Sequence, residues 1–270
     1  MEGAETPETA VFASPSETPL DLKFRWFGFP TRIHPLFWLI TLLLGPLDLR
    51  GPYALEAMGI WIVCVFISIL MHELGHALAY RFYRCGDVKI ELYGMGGLAI
   101  AQQQPRGHYR RIAVYLAGPG IQFVIAFLLW ISLKIDPFWP IVNWPPYLMI
   151  AYFDLYSINL GWAIFNLLPI YPLDGGQVCR EICFLKKVPR ALEVSLKVSI
   201  ATAIGLICLR GVAEVQPALI SWLPSWFPIP GCLFTILLLA SLAYSSYQAL
   251  QLVQADPWGH NEDEREPWES

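Results

Sequence analysis

A chain of 270 residues that is 56% hydrophobic and only 15% charged is not an ordinary water-soluble globular domain, in which about a quarter of the residues carry charge. The net charge of −4 draws half of its acidic residues from the two ends, and no basic patch with interleaved aromatics points to nucleic acid. Six scattered cysteines, three of them inside apolar segments, exclude a secreted disulfide framework.

Residues 1–22 form an acidic segment: Glu2, Glu5, Glu8, Glu17 and Asp21 stand among prolines and threonines without one Lys or Arg. That composition predicts a disordered tail and does not match a signal peptide, which needs a basic start and an apolar centre. Residues 254–270 make a second acidic tail. Between them, residues 23–253 hold six apolar stretches, at 33–49, 57–80, 112–133, 147–169, 194–209 and 232–252. The first is the weakest, because residues 36–47 give only twelve uninterrupted uncharged positions where a full span needs roughly 20. Residues 217–230, with Trp222 and Trp226 among prolines, suit an interfacial or re-entrant segment.

With six spans, the two ends share a side with the loops after spans two and four. That side carries 14 of the 18 Lys and Arg residues; the other side has Arg50, Lys134 and Arg210, and Lys197 lies within span five. The bias predicts that both ends are cytoplasmic in a multi-pass protein of the cell membrane.

Residues 87–104 break the helical pattern. Val88, Ile90 and Leu92 alternate with Lys89, Glu91 and Tyr93, the period of a strand, and Gly94, Gly96 and Gly97 follow. This predicts a short β-hairpin, either plain or offering an edge to an extended peptide. The fold expected is therefore an all-α polytopic membrane protein of about six transmembrane helices, with a small membrane-associated β-hairpin after the second.

Chemistry concentrates in Met71-His72-Glu73-Leu74-Gly75-His76-Ala77. Histidines four apart project from one helix face and can hold one zinc ion, and a glutamate beside the first can take a proton from the attacking water. Residues 57–71 before it carry no charge, and polar groups in so apolar a run are costly unless they serve a function.

Two histidines leave a catalytic zinc one protein ligand short. A third histidine in the pattern of one soluble protease class is missing, since Ala79 and Phe82 stand at the relevant places. Glu91 belongs to the strand-like piece. Asp174, closing the run from Asn166 through Pro169, Pro172 and Leu173 to Gly175-Gly176, is the favoured candidate. The prolines would break span four and turn its backbone inward at the depth of the histidines. Cys179 and Cys183, spaced i, i+4, offer either a second zinc site or, the favoured reading, buried or membrane-facing thiols. Asp154, Asn159, Gln122, Lys197 and His34 are set outside the site, His34 in a capping or packing role at a helix start.

The pairing of His72-Glu73-Leu74-Gly75-His76 in one span with Asn166…Pro172-Leu173-Asp174-Gly175-Gly176 in a later one resembles the site-2 protease family of intramembrane zinc metalloproteases. Ala117-Gly118-Pro119-Gly120 and Gly94-Met95-Gly96-Gly97 resemble its small-residue and glycine-rich stretches. The resemblance covers residues 33–180 and implies that His72, His76 and Asp174 bind one Zn2+. It also implies that Glu73 is the general base and acid, and that Asn166 holds the substrate backbone or the oxyanion. It further implies cleavage within or near a transmembrane segment of a single-span substrate in the lipid bilayer, in some cases after a first cut by an upstream protease. With no room for a PDZ or CBS domain, the chain is similar to the compact members. The rival reading is a non-proteolytic zinc-binding membrane protein or transporter with a vestigial site; it would call for loss of Glu73 or of a ligand, and neither is lost.

Overall fold

The computed structural model describes residues 16–45, 53–94, 96–135, 144–215 and 233–255. Among the described residues, four strands and seven helices follow one another: β1 (Leu22–Trp26), β2 (Phe29–Ile33), α1 (Pro35–Leu43), α2 (Ala54–Phe82), β3 (Val88–Tyr93), β4 (Gly96–Ala101), α3 (His108–Ile135), α4 (Pro146–Asn166), α5 (Asp174–Leu185), α6 (Ala191–Val215) and α7 (Leu233–Ala255). Among the described residues five helices, α2, α3, α4, α6 and α7, are long and apolar enough to cross a bilayer. The protein is a polytopic membrane protein.

The weakest of the six expected spans is a nine-residue helix, α1. At 1.5 Å per residue it reaches about 13 Å, less than half of a hydrocarbon core of about 30 Å. Its end falls before residues 46–52, which lie outside the described residues. So do the segment 217–230 and most of both acidic tails.

The chain divides into two compact units, one of Ser14–Pro105 with Ala117–Ala163 and one of Arg106–Leu116 with Ile164–Ser270 plus the N-terminal end. The first unit is built around a sheet of order β1-β2-β3-β4. The expected hairpin is present as β3 and β4, paired from Val88↔Ala101 to Tyr93↔Gly96. A second hairpin, which the sequence reading passed over, adds β1 and β2. Its two-residue turn, Phe27 at φ 47° and Gly28 at φ 87°, has positive φ at both positions, which matches the twist of the flanking strands. The hairpins join through a parallel pairing of Thr31–Ile33 with Ile90–Leu92, and the His34 N–H donates to the Leu92 carbonyl at 2.8 Å. Parallel neighbours need a long crossover, supplied here by α1 and α2.

β3 is consequently an inner strand, with Ile90 and Leu92 among the most buried residues of the chain. It offers no free edge; the edges of the sheet are β1 and β4. Arg81, in the last turn of α2, fastens the sheet to that helix by donating to the Phe27 carbonyl at 3.2 Å and lying over the Phe29 ring at 4.6 Å.

In the second unit α6 and α7 pack on the non-helical stretch that follows α4. Ile170, Ala203, Leu239 and Leu242 form one apolar cluster, and Tyr171, Leu196 and Leu250 a second. Glu181 of α5 is buried against the first turn of α3, 2.7 Å from His108 Nδ1 and 3.7 Å from Arg111, with neighbouring Arg180 at 3.1 Å. A buried carboxylate needs such partners to offset its lost hydration.

Candidate metal site and its surroundings

In the first unit, α2 runs unbroken for 29 residues, so His72 and His76 fall one turn apart on one face. Both are buried, as is Glu73. Their rings meet at 77°, and the two Nε2 atoms lie 3.1 Å apart. Two nitrogens each 2.0–2.1 Å from one tetrahedral zinc would be separated by about 3.3 Å. The pair therefore has the spacing of two ligands to a single zinc ion, and imidazole suits that metal.

The room for this comes from glycine. A Cβ on Gly118 of α3 would fall on His76 Nε2 and 2.9 Å from His72 Nε2. From the other side, a Cβ on Gly75 would sit 2.5 Å from the Ala117 carbonyl oxygen. The two helices thus approach backbone to backbone at the histidines, with Pro119 inside α3 at the crossing. One turn beyond Gly118, the Gln122 Oε1 lies 2.8 Å from His72 Nδ1. The sequence reading set Gln122 aside; the available signal was its place four residues after Gly118, on the same face of an otherwise apolar helix.

Glu73 faces the sheet. A Cβ on Gly97 of β4 would collide with the Glu73 side chain, so the edge strand passes directly against this carboxylate. The Tyr93 phenol is held well above its usual range, first by burial and then by the Glu73 and Glu91 carboxylates, and stays protonated. Glu91, the other acidic candidate, is committed elsewhere: its oxygens lie 3.0 Å from Arg32 and 2.9 Å from Lys89. His34 caps α1 as expected, its Nδ1 accepting from the Leu36 N–H at 3.2 Å.

Asn166 and Asp174 belong to the second unit. The two prolines end α4 at Asn166, and Asp174 opens α5. The backbone between them is irregular, which a membrane interior tolerates only where its polar groups find partners. Here they do: the Tyr171 N–H donates to Ser199 Oγ at 2.9 Å, and Ser246 Oγ donates to the Tyr171 carbonyl at 3.0 Å. Within the stretch, Leu173 N–H returns to Ile170 O at 2.8 Å. Gly175 and Gly176 lie so close to the backbone of Leu167, Leu168 and Ile170 that any Cβ would collide. This packing fixes where the first turn of α5, and with it Asp174, begins. Cys179 and Cys183 further along α5 are free, half-buried thiols.

Residues 141–206 match the sequence profile of Peptidase family M50. The chain is 30% identical over 187 residues to a zinc metalloprotease of Methanocaldococcus jannaschii, covering 69% of this chain and 52% of that one. It is 33% identical over 166 residues to a putative zinc metalloprotease of Synechocystis, covering 58% and 42%, and 26% identical over 182 residues to stage IV sporulation protein FB of Bacillus subtilis, covering 65% and 56%. The chain spans about half the length of the curated relatives it matches. Among solved structures it is similar in fold to the site-2 protease from Methanocaldococcus jannaschii, at a TM-score of 0.53 and 23% identity over 85% of this chain and 95% of that one.

Proposed function

From the premise that this chain is related to the site-2 protease family of zinc metalloproteases, we propose that it is a zinc-dependent endopeptidase that cuts a peptide bond within or near a transmembrane segment of a single-span membrane protein. The observation that carries this reading is the His72–His76 pair, buried in a helix long enough to span, with Glu73 beside it.

His72, His76 and Asp174 are the three zinc ligands in this proposal, two neutral imidazoles and one carboxylate. When bound, zinc lowers the pKa of a water molecule and polarises a carbonyl. Glu73 takes a proton from the attacking water and returns it to the leaving amide nitrogen, as a general base and then a general acid. Asn166 carries both a donor and an acceptor and hydrogen-bonds the extended substrate backbone or the developing oxyanion.

A transmembrane helix hides each carbonyl in a backbone hydrogen bond, so the substrate must unwind where it is cut. The free edge of β4, running past Glu73 at Gly97, is the surface on which an unwound stretch is held extended by strand addition. This replaces the expectation that Val88–Leu92 serves as the edge, since those residues are flanked on both sides. The excess of Lys and Arg in the loops after spans two and four supports a cytoplasmic orientation of the ends and of the site in a cell membrane.

The test is a substrate trap. Glu73→Gln is expressed in cells, membranes are isolated, and uncut single-span proteins that accumulate relative to wild type are identified. Accumulation of a single-span protein that wild type cleaves within or beside its span is the expected result. An unchanged membrane proteome favours the non-proteolytic alternative.

A further inference from the structure

One face of His72 is specified by more than the metal. Its Nδ1 lies 2.8 Å from Gln122 Oε1, and the Gln122 Nε2 donates to the Ser68 carbonyl at 3.4 Å. A backbone carbonyl can only accept, so the end of the Gln122 amide that faces Ser68 must be the NH2 group. The end facing His72 is then the oxygen, which also only accepts. It follows that His72 carries its proton on Nδ1 and leaves the lone pair of Nε2 facing His76.

Ser68 sits one helical turn before His72 on α2, so the Gln122 amide spans from the ring back to the preceding turn and fixes the ring about its side-chain bonds. The support continues onto a third helix. Asn159 of α4 donates through Nδ2 to Ser68 Oγ at 2.9 Å and to the Leu155 carbonyl at 2.8 Å. Ser68, Gln122 and Asn159 are each no more than 1% exposed. Polar groups so deeply placed in membrane helices are costly unless they serve one another or a site. A neutral amide as the partner of the ring avoids adding a buried negative charge beside the ligands.

We propose that Gln122 is a positioning residue that locks His72 in the tautomer protonated at Nδ1, aiming Nε2 at the metal, with the Ser68 carbonyl holding the amide from behind and Asn159 in turn bonded to the Ser68 hydroxyl. The proposal rests on the zinc reading above. Outer partners of this kind orient ligating histidines, and losing one commonly costs about 10- to 100-fold in metal affinity.

Two measurements test it. In metal-free wild-type protein with 15N-labelled histidine, in detergent, the His72 resonances are assigned with a His72→Gln variant. They should show a protonated Nδ1 and an unprotonated Nε2. In chelator-competition titrations, Gln122→Leu should bind zinc about 10- to 100-fold more weakly than wild type. Gln122→Glu keeps an acceptor for the ring but loses the donor to the Ser68 carbonyl, and should recover only part of that loss. A wild-type His72 protonated at Nε2 overturns the proposal, as does Gln122→Leu with unaltered zinc affinity. Should Gln122→Leu fail to fold, the wild-type tautomer decides alone. Wild-type protein that binds no zinc contradicts the zinc-protease reading instead, and the tautomer signal, read without metal, still decides the role of Gln122.

Discussion

The two units supply their polar groups by opposite means. In the first, His72, Glu73 and His76 stand on an uninterrupted helix, where the ordinary i, i+4 geometry sets their spacing, and Gln122 of α3 meets the His72 ring from outside. In the second, Asn166 and Asp174 bracket a stretch that is not helical, and serines of α6 and α7 take up the backbone groups that the prolines release. A helix places side chains through its own hydrogen bonds; an irregular segment at membrane depth needs donors and acceptors borrowed from neighbours. Substitutions in the first unit should therefore act on the metal directly, and those in the second through the loop as well.

The largest effects are expected at the proposed ligands. His76→Ala and Asp174→Ala should each lose most bound zinc by metal analysis and all measurable cleavage of a single-span model substrate, and zinc retained in Asp174→Ala would remove the second unit from the metal site. Asn166→Ala should keep its zinc and cleave about 10²- to 10³-fold more slowly, the usual cost of one oxyanion donor. Loss of zinc from Asn166→Ala together with its retention in Asp174→Ala would reverse the two roles.

Gly97→Ala gives an intermediate case. Its methyl group would collide with Glu73 and not with a histidine, so cleavage should fall steeply while zinc content holds.

Ser199→Ala sharpens the comparison from the side of the loop. It strands the Tyr171 N–H and should cost about 1–3 kcal/mol by denaturant titration in detergent. Zinc affinity should weaken with it as the start of α5 loosens. The smallest effect is expected at His34→Ala, which removes a helix cap worth about 1 kcal/mol and should leave zinc and cleavage rates within error of wild type.

Legibility in the sequence followed the same division. The histidine pair and its glutamate were readable because helical spacing is regular and the surrounding run is free of charge. The prolines marked where α4 ends, and the alternation of Val88–Tyr93 marked β3, with the glycines after it as the sign of a hairpin. Gln122 was missed because a single amide in a span carries no spacing pattern of its own; its meaning comes from a crossing at Gly75 and Gly118 that only packing brings about. β1 did alternate, Leu22, Phe24 and Trp26 against Lys23 and Arg25, but the run is five residues long and lies beside a tail. The partner of β2, β3, is 59 residues further on, from Thr31 to Ile90, and no local pattern announces a parallel pairing at that distance. The same pairing turned the expected edge strand into an inner one.

The central claim, that Glu73 moves the proton beside a zinc held by others, is tested most directly by measuring zinc content and cleavage together in purified Glu73→Gln. The substitution keeps the shape of the side chain and removes its basicity. The account predicts zinc equal to wild type, close to one ion per chain, with cleavage of a single-span substrate abolished. Cleavage at the wild-type rate would contradict it.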